Sequence, residues 1–190
     1  MNIYYIIFKL NKIEIKLQDE LENSKIIGND FIKESQIKKW INHPYKKISF
    51  QLLFRMTRDG SNCSDFHHHC DNKGPTLTLV QTTKNFKFGG YTPFSWQSEE
   101  GNPPEDDFNT FIFSLNLMKK FNKIREGPSL YFSKNFGPCF GNGGTDFYLD
   151  RNLNFGYTVK GNFLNNFELT GGEKDEFKVL ELEIYKVNFY

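Results

Sequence analysis

Alanine is absent from the 190 residues, and cysteine is scarce, at three. An odd, small number of cysteines cannot staple a chain of this length, and it fits a reducing compartment. No Cys-x-x-Cys pair occurs, so the knuckle of most structural zinc sites is missing. Neither sign of charge is in excess: 24 basic and 23 acidic side chains leave a formal +1. No block of Lys/Arg stands without nearby acids, which excludes nucleic acid as an expected partner. Long apolar runs are also lacking. The run from Ile3 to Phe8 is shorter than a signal-peptide core, Lys9 and Lys12 interrupt it, and no small-residue cleavage site follows. Nothing approaches the ~20 apolar residues of a membrane helix. A soluble cytoplasmic protein without membrane insertion is expected. There is no Gly-x-Ser-x-Gly elbow, His-Glu-x-x-His pair or dinucleotide fingerprint.

Aromatic residues are plentiful instead. They make up 17% of the chain, with 21 Phe and 9 Tyr, which suits a sheet-rich interior. Asn, Lys, Phe and Ile are heavily used while Ala is missing. That is the mark of an AT-rich coding bias, so a single Asn or Lys carries little weight.

The composition changes near residue 47. Residues 1–47 hold no cysteine and one glycine, Gly28. Ile13, Leu17 and Leu21 recur at intervals of four, as one helical stripe would. Ser35, followed by Ile37, Trp40 and Ile41, predicts a second short helix stopping before Pro44. This segment, 1–47, is expected to be a helical extension packed on the remainder, 48–190. From Ile48 onward the pattern is strands and glycine turns. "ISFQLLF" (48–54) predicts a strand closed by an Asp-Gly turn, and Ser61 predicts the cap of a helix over 62–71. Residues 75–83 and 86–92 predict a hairpin. "TFIFSLNL" (110–117) predicts a half-buried strand, with Ile112 alone breaking its polar face. "SLYF" (129–132) and "DFYL" (146–149) predict short strands. Across 177–187, Leu180, Leu182 and Ile184 alternate with Val179, Glu181, Glu183 and Tyr185. The loops 97–107 and 150–166 read as solvated. The expected fold is mostly β with flanking helices: a two-sheet antiparallel β-sandwich bordered by short helices.

"SDFHHHCDNKGPTLTL" (64–79) raises the question of a site. Consecutive helical residues lie about 100° apart, so His67, His68 and His69 cannot jointly ligate one ion. Cys63, His67 and Cys70, at i, i+4 and i+7, would share a face and are the metal candidates. The same spacing is the ordinary template for a helix face packed on a sheet, and that reading is preferred. Cys70 with His67 one turn back is the catalytic candidate, as a thiol and its base. Cys70 lies near the negative end of its helix, which opposes a thiolate. "FGPCFGNGGTDFYL" (136–149) lacks the Gly-Lys-Ser/Thr ending of a phosphate loop. Gly141, Gly143 and Gly144 are better read as turn residues and Cys139 as an apolar filler. Trp96 reads as a residue closing the core edge rather than as an interface anchor.

Together, "LLFRMTRDG" with "FHHHCDNKGPTLTL" (52–79), "FGGYTPFSW" (88–96), "FNTFIFSL" (108–115), "FGPCFGNGGTDFYL" (136–149) and "FELTGGEKDEFKVLELEIYKV" (167–187) resemble the TLDc domain of oxidation-resistance proteins. Their order and spacing cover about 140 residues. Arg58, Asp59, Gly60, Phe66, His67, Cys70, Gly74, Pro75, Thr76, Gly89, Gly90, Trp96, Gly137, Pro138, Phe140 and Gly141 follow the family's pattern. Cys63, His68, His69 and Cys139 look like local variation, which weighs against the three-ligand metal set. The resemblance implies a β-sandwich bordered by helices, a role in oxidative-stress resistance, and binding to peripheral subunits of the vacuolar-type proton-pumping ATPase. It implies a regulatory binding module with no cofactor and no established catalytic set, peripheral at endomembranes through its protein partner. The competing expectation is a redox enzyme or thiol sensor acting on peroxide through Cys70 and His67.

Overall fold

The computed structural model describes residues 21–44, 46–103, 108–142, 146–163, 168–170 and 175–190. Ile13, Leu17, Gly143, Gly144 and residues 104–107 therefore lie outside the described residues. The N-terminal part forms a 3₁₀ turn at Leu21–Asn23 and helix α1, Phe31–Ile41. Asp30 caps α1, its side chain accepting from Lys33 N at 3.1 Å. The helix thus begins four residues before Ser35 and ends ahead of Pro44.

Among the described residues nine strands follow, all paired antiparallel. They are β1 (Ile48–Arg55), β2 (Thr76–Thr82), β3 (Lys87–Thr92), β4 (Phe111–Ser114) and β5 (Lys119–Asn122), then β6 (Cys139–Phe140), β7 (Asp146–Leu149), β8 (Phe155–Val159) and β9 (Asp175–Phe189). The long β9 belongs to two layers. Residues 179–189 pair with β2 on one edge and β1 on the other, extending a sheet through β3 and β4 to β5. Residues 175–178 pair with β8, which continues through β7 to β6. The second layer folds over the first, with Phe88 edge-on to Phe147 and Phe177, each at 5.3 Å between centroids. Gly90 makes the approach possible: a Cβ there would stand 2.4 Å from the Phe140 ring. This is the expected two-layer β-sandwich with short helices at its border.

The main sheet is buried on both faces. Its inner face carries Val80, Phe88, Ile112, Leu182 and Ile184 in one core with Phe140 and Phe147. Its outer face carries Leu77, Leu79, Phe111, Phe113 and Tyr185 against Leu21, Ile26, Ile27, Ile37 and Ile41. The half-buried character predicted for 110–117 is therefore corrected. Every residue of β4 is buried, because the segment 21–41 covers the face that would otherwise meet water.

That cover is pinned by a buried acid. Glu183 on β9 is 0% exposed. Its Oε1 accepts from Arg55 Nε at 2.7 Å and Lys25 N at 3.0 Å. Its Oε2 accepts from the hydroxyls of Ser24 and Tyr185. A buried carboxylate is tolerated only when paired and hydrogen-bonded, and all its capacity is used here. Burial pushes the Tyr185 hydroxyl far up, and the neighbouring Glu183 charge adds to it.

Several local expectations are corrected. "MTRD" is a single helical turn, α2 (Met56–Asp59), rather than a plain turn; Gly60 ends it at φ +119°. "SLYF" forms no strand, only isolated bridges from Leu130 to Phe140 and from Phe132 to Gly101. The 150–166 stretch, read as solvated, contains β8. In β9 the register slips where Gln81 faces Glu181 but Thr82 faces Val179. Leu180 is the extra residue of this bulge and is 51% exposed, while Val179 turns inward.

Candidate functional site

Helix α3, Cys63–Cys70, packs on β1, with Phe66 edge-on to Phe54 at 6.2 Å. Asn62, not Ser61, caps it: the Asn62 side chain accepts from Asp65 N while Asp65 Oδ2 accepts from Asn62 N. Its buried face is Cys63, Phe66, His67 and Cys70, the stripe that the spacing predicts. His68 is exposed, and His69 is half-buried, its Nδ1 donating to Asp65 O at 2.8 Å.

His67 is tied down at both ring nitrogens. Nδ1 donates to Asp71 Oδ1 at 2.7 Å, and Nε2 donates to the carbonyl oxygens of Ser133 and Phe136, both at 3.0 Å. Carboxylates and carbonyls only accept, so all three contacts are satisfied together when both nitrogens carry protons, in the imidazolium form. Burial pulls its pKa down, but the hydrogen bond and charge of Asp71, with the two carbonyls, more than offset that and leave it above 6.5. Asp71 Oδ2 accepts from the Ser98 hydroxyl at 2.7 Å. The hydroxyl thus sits on the carboxylate and not on the imidazole. No nitrogen is left to take a proton from a nucleophile. His67 acts as a strut joining α3 to the 133–136 segment.

Cys70 is 0% exposed, in the inner core with Phe54, Phe66 and Trp96. Burial, followed by the charges of Asp71 and Asp59, pushes its thiol well above 9.0. No hydrogen bond joins it to His67. Cys63 instead faces a cleft: its thiol donates to Lys134 O at 3.0 Å. Burial raises its pKa although Arg151 pulls the other way. Cys139 is buried, and its thiol is also pushed up by burial. The structure places Cys63, His67 and Cys70 in three different environments. The first sulfur lines a cleft, the imidazole is spent on three oxygens, and the last sulfur lies in the core. Among the described residues no group of three His, Cys, Asp or Glu side chains could hold a metal ion. Trp96 is 1% exposed and stands edge-on to Phe66, Phe132 and Phe140 at 5.7, 6.2 and 5.6 Å. It fills the core above α3.

The cleft beside α3 has a volume of about 660 Å³, and its lining includes Asn62, Ser64, His68, Ser98, Lys134 and Arg151. Asp71 was not singled out from the sequence, although its place four residues after His67 is a signal that could have found it. Ser98, Lys134 and Arg151 come from distant segments, and nothing local marked them. Among the described residues, no helix is long and apolar enough to cross a membrane.

Comparison with known proteins agrees with this architecture. A stretch of 66 residues, 35% of this chain, is 30% identical to MTOR-associated protein MEAK7 of Danio rerio. It covers 14% of that protein, so the chain spans only a small part of its relative's length. The family model for the TLDc domain matches residues 21–188, which takes in the sandwich, α3 and the covering segment alike. The chain belongs to the TLDc domain family.

Proposed function

We propose that this chain is a TLDc regulatory binding module that docks on the peripheral sector of a vacuolar-type proton-pumping ATPase. In this reading it works at the cytoplasmic face of endomembranes and contributes to resistance against oxidative stress. The observation that carries the binding reading over turnover is the state of the Cys70–His67 pair. The sulfur is dry with its pKa raised, and the imidazole has no free nitrogen. Docking needs shape and a few anchors rather than an activated nucleophile. Phe31 and Ile32, in the first turn of α1, are 75% and 73% exposed and supply such anchors.

The test is affinity purification of the tagged chain from cell extract at low salt, beside the double variant Phe31→Asp/Ile32→Asp. Recovery of peripheral pump subunits with the parent chain, and their loss with the variant, is the expected result. Recovery of no pump subunit at micromolar protein contradicts the proposal. Recovery of MTOR, with which the MEAK7 relative is by its name associated, in place of the pump would likewise move the partner elsewhere.

A further inference from the structure

Two of the cleft's cations form no ion pair among the described residues. Asp71, the carboxylate that lines the cleft, is already matched by the His67 imidazolium and the Ser98 hydroxyl. Asp65, at the start of α3, is engaged in the cap. Lys134 and Arg151 reach the cleft from different segments, and among the described residues neither forms an ion pair. Their backbones are nevertheless fixed to one residue. Cys63 N donates to Arg151 O at 2.8 Å, and the Cys63 thiol donates to Lys134 O at 3.0 Å. Lys134 N also donates to Ser98 O at 3.0 Å. The roots of both cations are thus held in place before any ligand arrives, which lowers the ordering cost of binding. The Ser64 hydroxyl and the amides of Asn62 and Asn135 add neutral donors around the same space.

We propose that this cleft binds a phosphomonoester, whose two negative charges match Lys134 and Arg151 and whose oxygens suit the surrounding hydroxyl and amide donors. A volume of about 660 Å³ admits the group with the moiety that bears it. Arginine grips such an oxyanion in a fork while lysine serves as a point charge. The assignment is independent of the partner proposed above, because it concerns the opposite chemistry: a polar cleft rather than an apolar helix turn.

The experiment follows the backbone amide resonances of the full chain during titration with inorganic phosphate, against sodium chloride at matched ionic strength. Glycerol phosphate and a short phosphoserine peptide form two further arms. A saturable response centred on residues 62–68, 98, 134–135 and 151 is expected, weakened at least about tenfold in Lys134→Gln/Arg151→Gln. Tighter binding of the peptide than of glycerol phosphate assigns the ester to a protein, and equal binding assigns it to a small molecule. Both substituted side chains are exposed, and the thermal unfolding midpoint of the double variant checks that it is folded. Responses that chloride reproduces, or that survive the double substitution unchanged, overturn the proposal.

Discussion

Replacing Glu183 with alanine tests how the N-terminal cover is held. The substitution removes four accepted hydrogen bonds at a carboxylate that is 0% exposed. Arg55, whose side chain is 14% exposed, keeps the Asn23 carbonyl at 3.0 Å but loses its buried carboxylate. Breaking a buried ion pair from one side costs about 3–5 kcal/mol, because the other charge is stranded. For a domain of this length that is a fall in unfolding midpoint of about 6–20 °C. Glu183→Gln should cost less, since its amide oxygen still accepts from Arg55 and Lys25 N and its NH₂ can donate to the Tyr185 hydroxyl. The Ser24 hydroxyl, which already accepts from Ile26 N and Ile27 N, loses its acceptor. Urea unfolding gives the free energies. Hydrogen exchange locates the loss, expected first at the amides of Lys25, Ile26 and Ile27, which bond to Glu183 or to Ser24. An alanine variant within about 0.5 kcal/mol of the parent, the size of an ordinary surface change, would refute the claim that Glu183 anchors the cover.

Two further outcomes follow from the geometry. His67 has a folded pKa above its ordinary 6.5, so its stabilising contribution is complete below the unfolded pKa and is lost as pH rises through the folded one. The stability gap between the parent and His67→Gln should therefore be widest near pH 5.5 and narrow towards pH 8.5 in urea titrations. A gap that widens over this range would reverse the assignment of an imidazolium. The bulge in β9 separates two leucines that share a simple alternation. Leu182→Ala should lose about 2–5 kcal/mol from a 0% exposed position, and Leu180→Lys should stay within about 0.5 kcal/mol of the parent. Equal losses at the two positions would mean that the register does not slip.

How much of this was legible depended on whether the deciding contact was local. β2, β3, β4, β7 and β9 announce themselves because β-branched and aromatic residues alternate between turn signals. β5 was hidden by Lys119 and Lys120, whose exposed or half-buried chains leave Phe121 alone to mark a strand. β8 was hidden in a run rich in Asn and Gly, and it is held by pairing on both edges rather than by its own propensity. The bulge at Leu180 is a tertiary event, since only the register against β2 reveals it. Burial of both sheet faces could not be read from Phe111, Ile112 and Phe113 without knowing that 21–41 lies over them. At the site, the i, i+4, i+7 stripe correctly gave the buried face of α3. The carbonyls of Ser133 and Phe136, which settle the protonation of His67, lie 66 and 69 residues downstream. No spacing rule connects them. Lys134 and Arg151 were invisible for the same reason.

The choice between docking and turnover is tested most directly at one sulfur. Folded protein is treated with an alkylating reagent at neutral pH, and labelling is mapped to peptides by mass spectrometry, which separates Cys70 from Cys63 and Cys139. Cys70 should remain unlabelled until denaturant unfolds the chain. Modification of Cys70 in the native protein, faster than a free thiol reacts, would contradict the account and restore the redox reading.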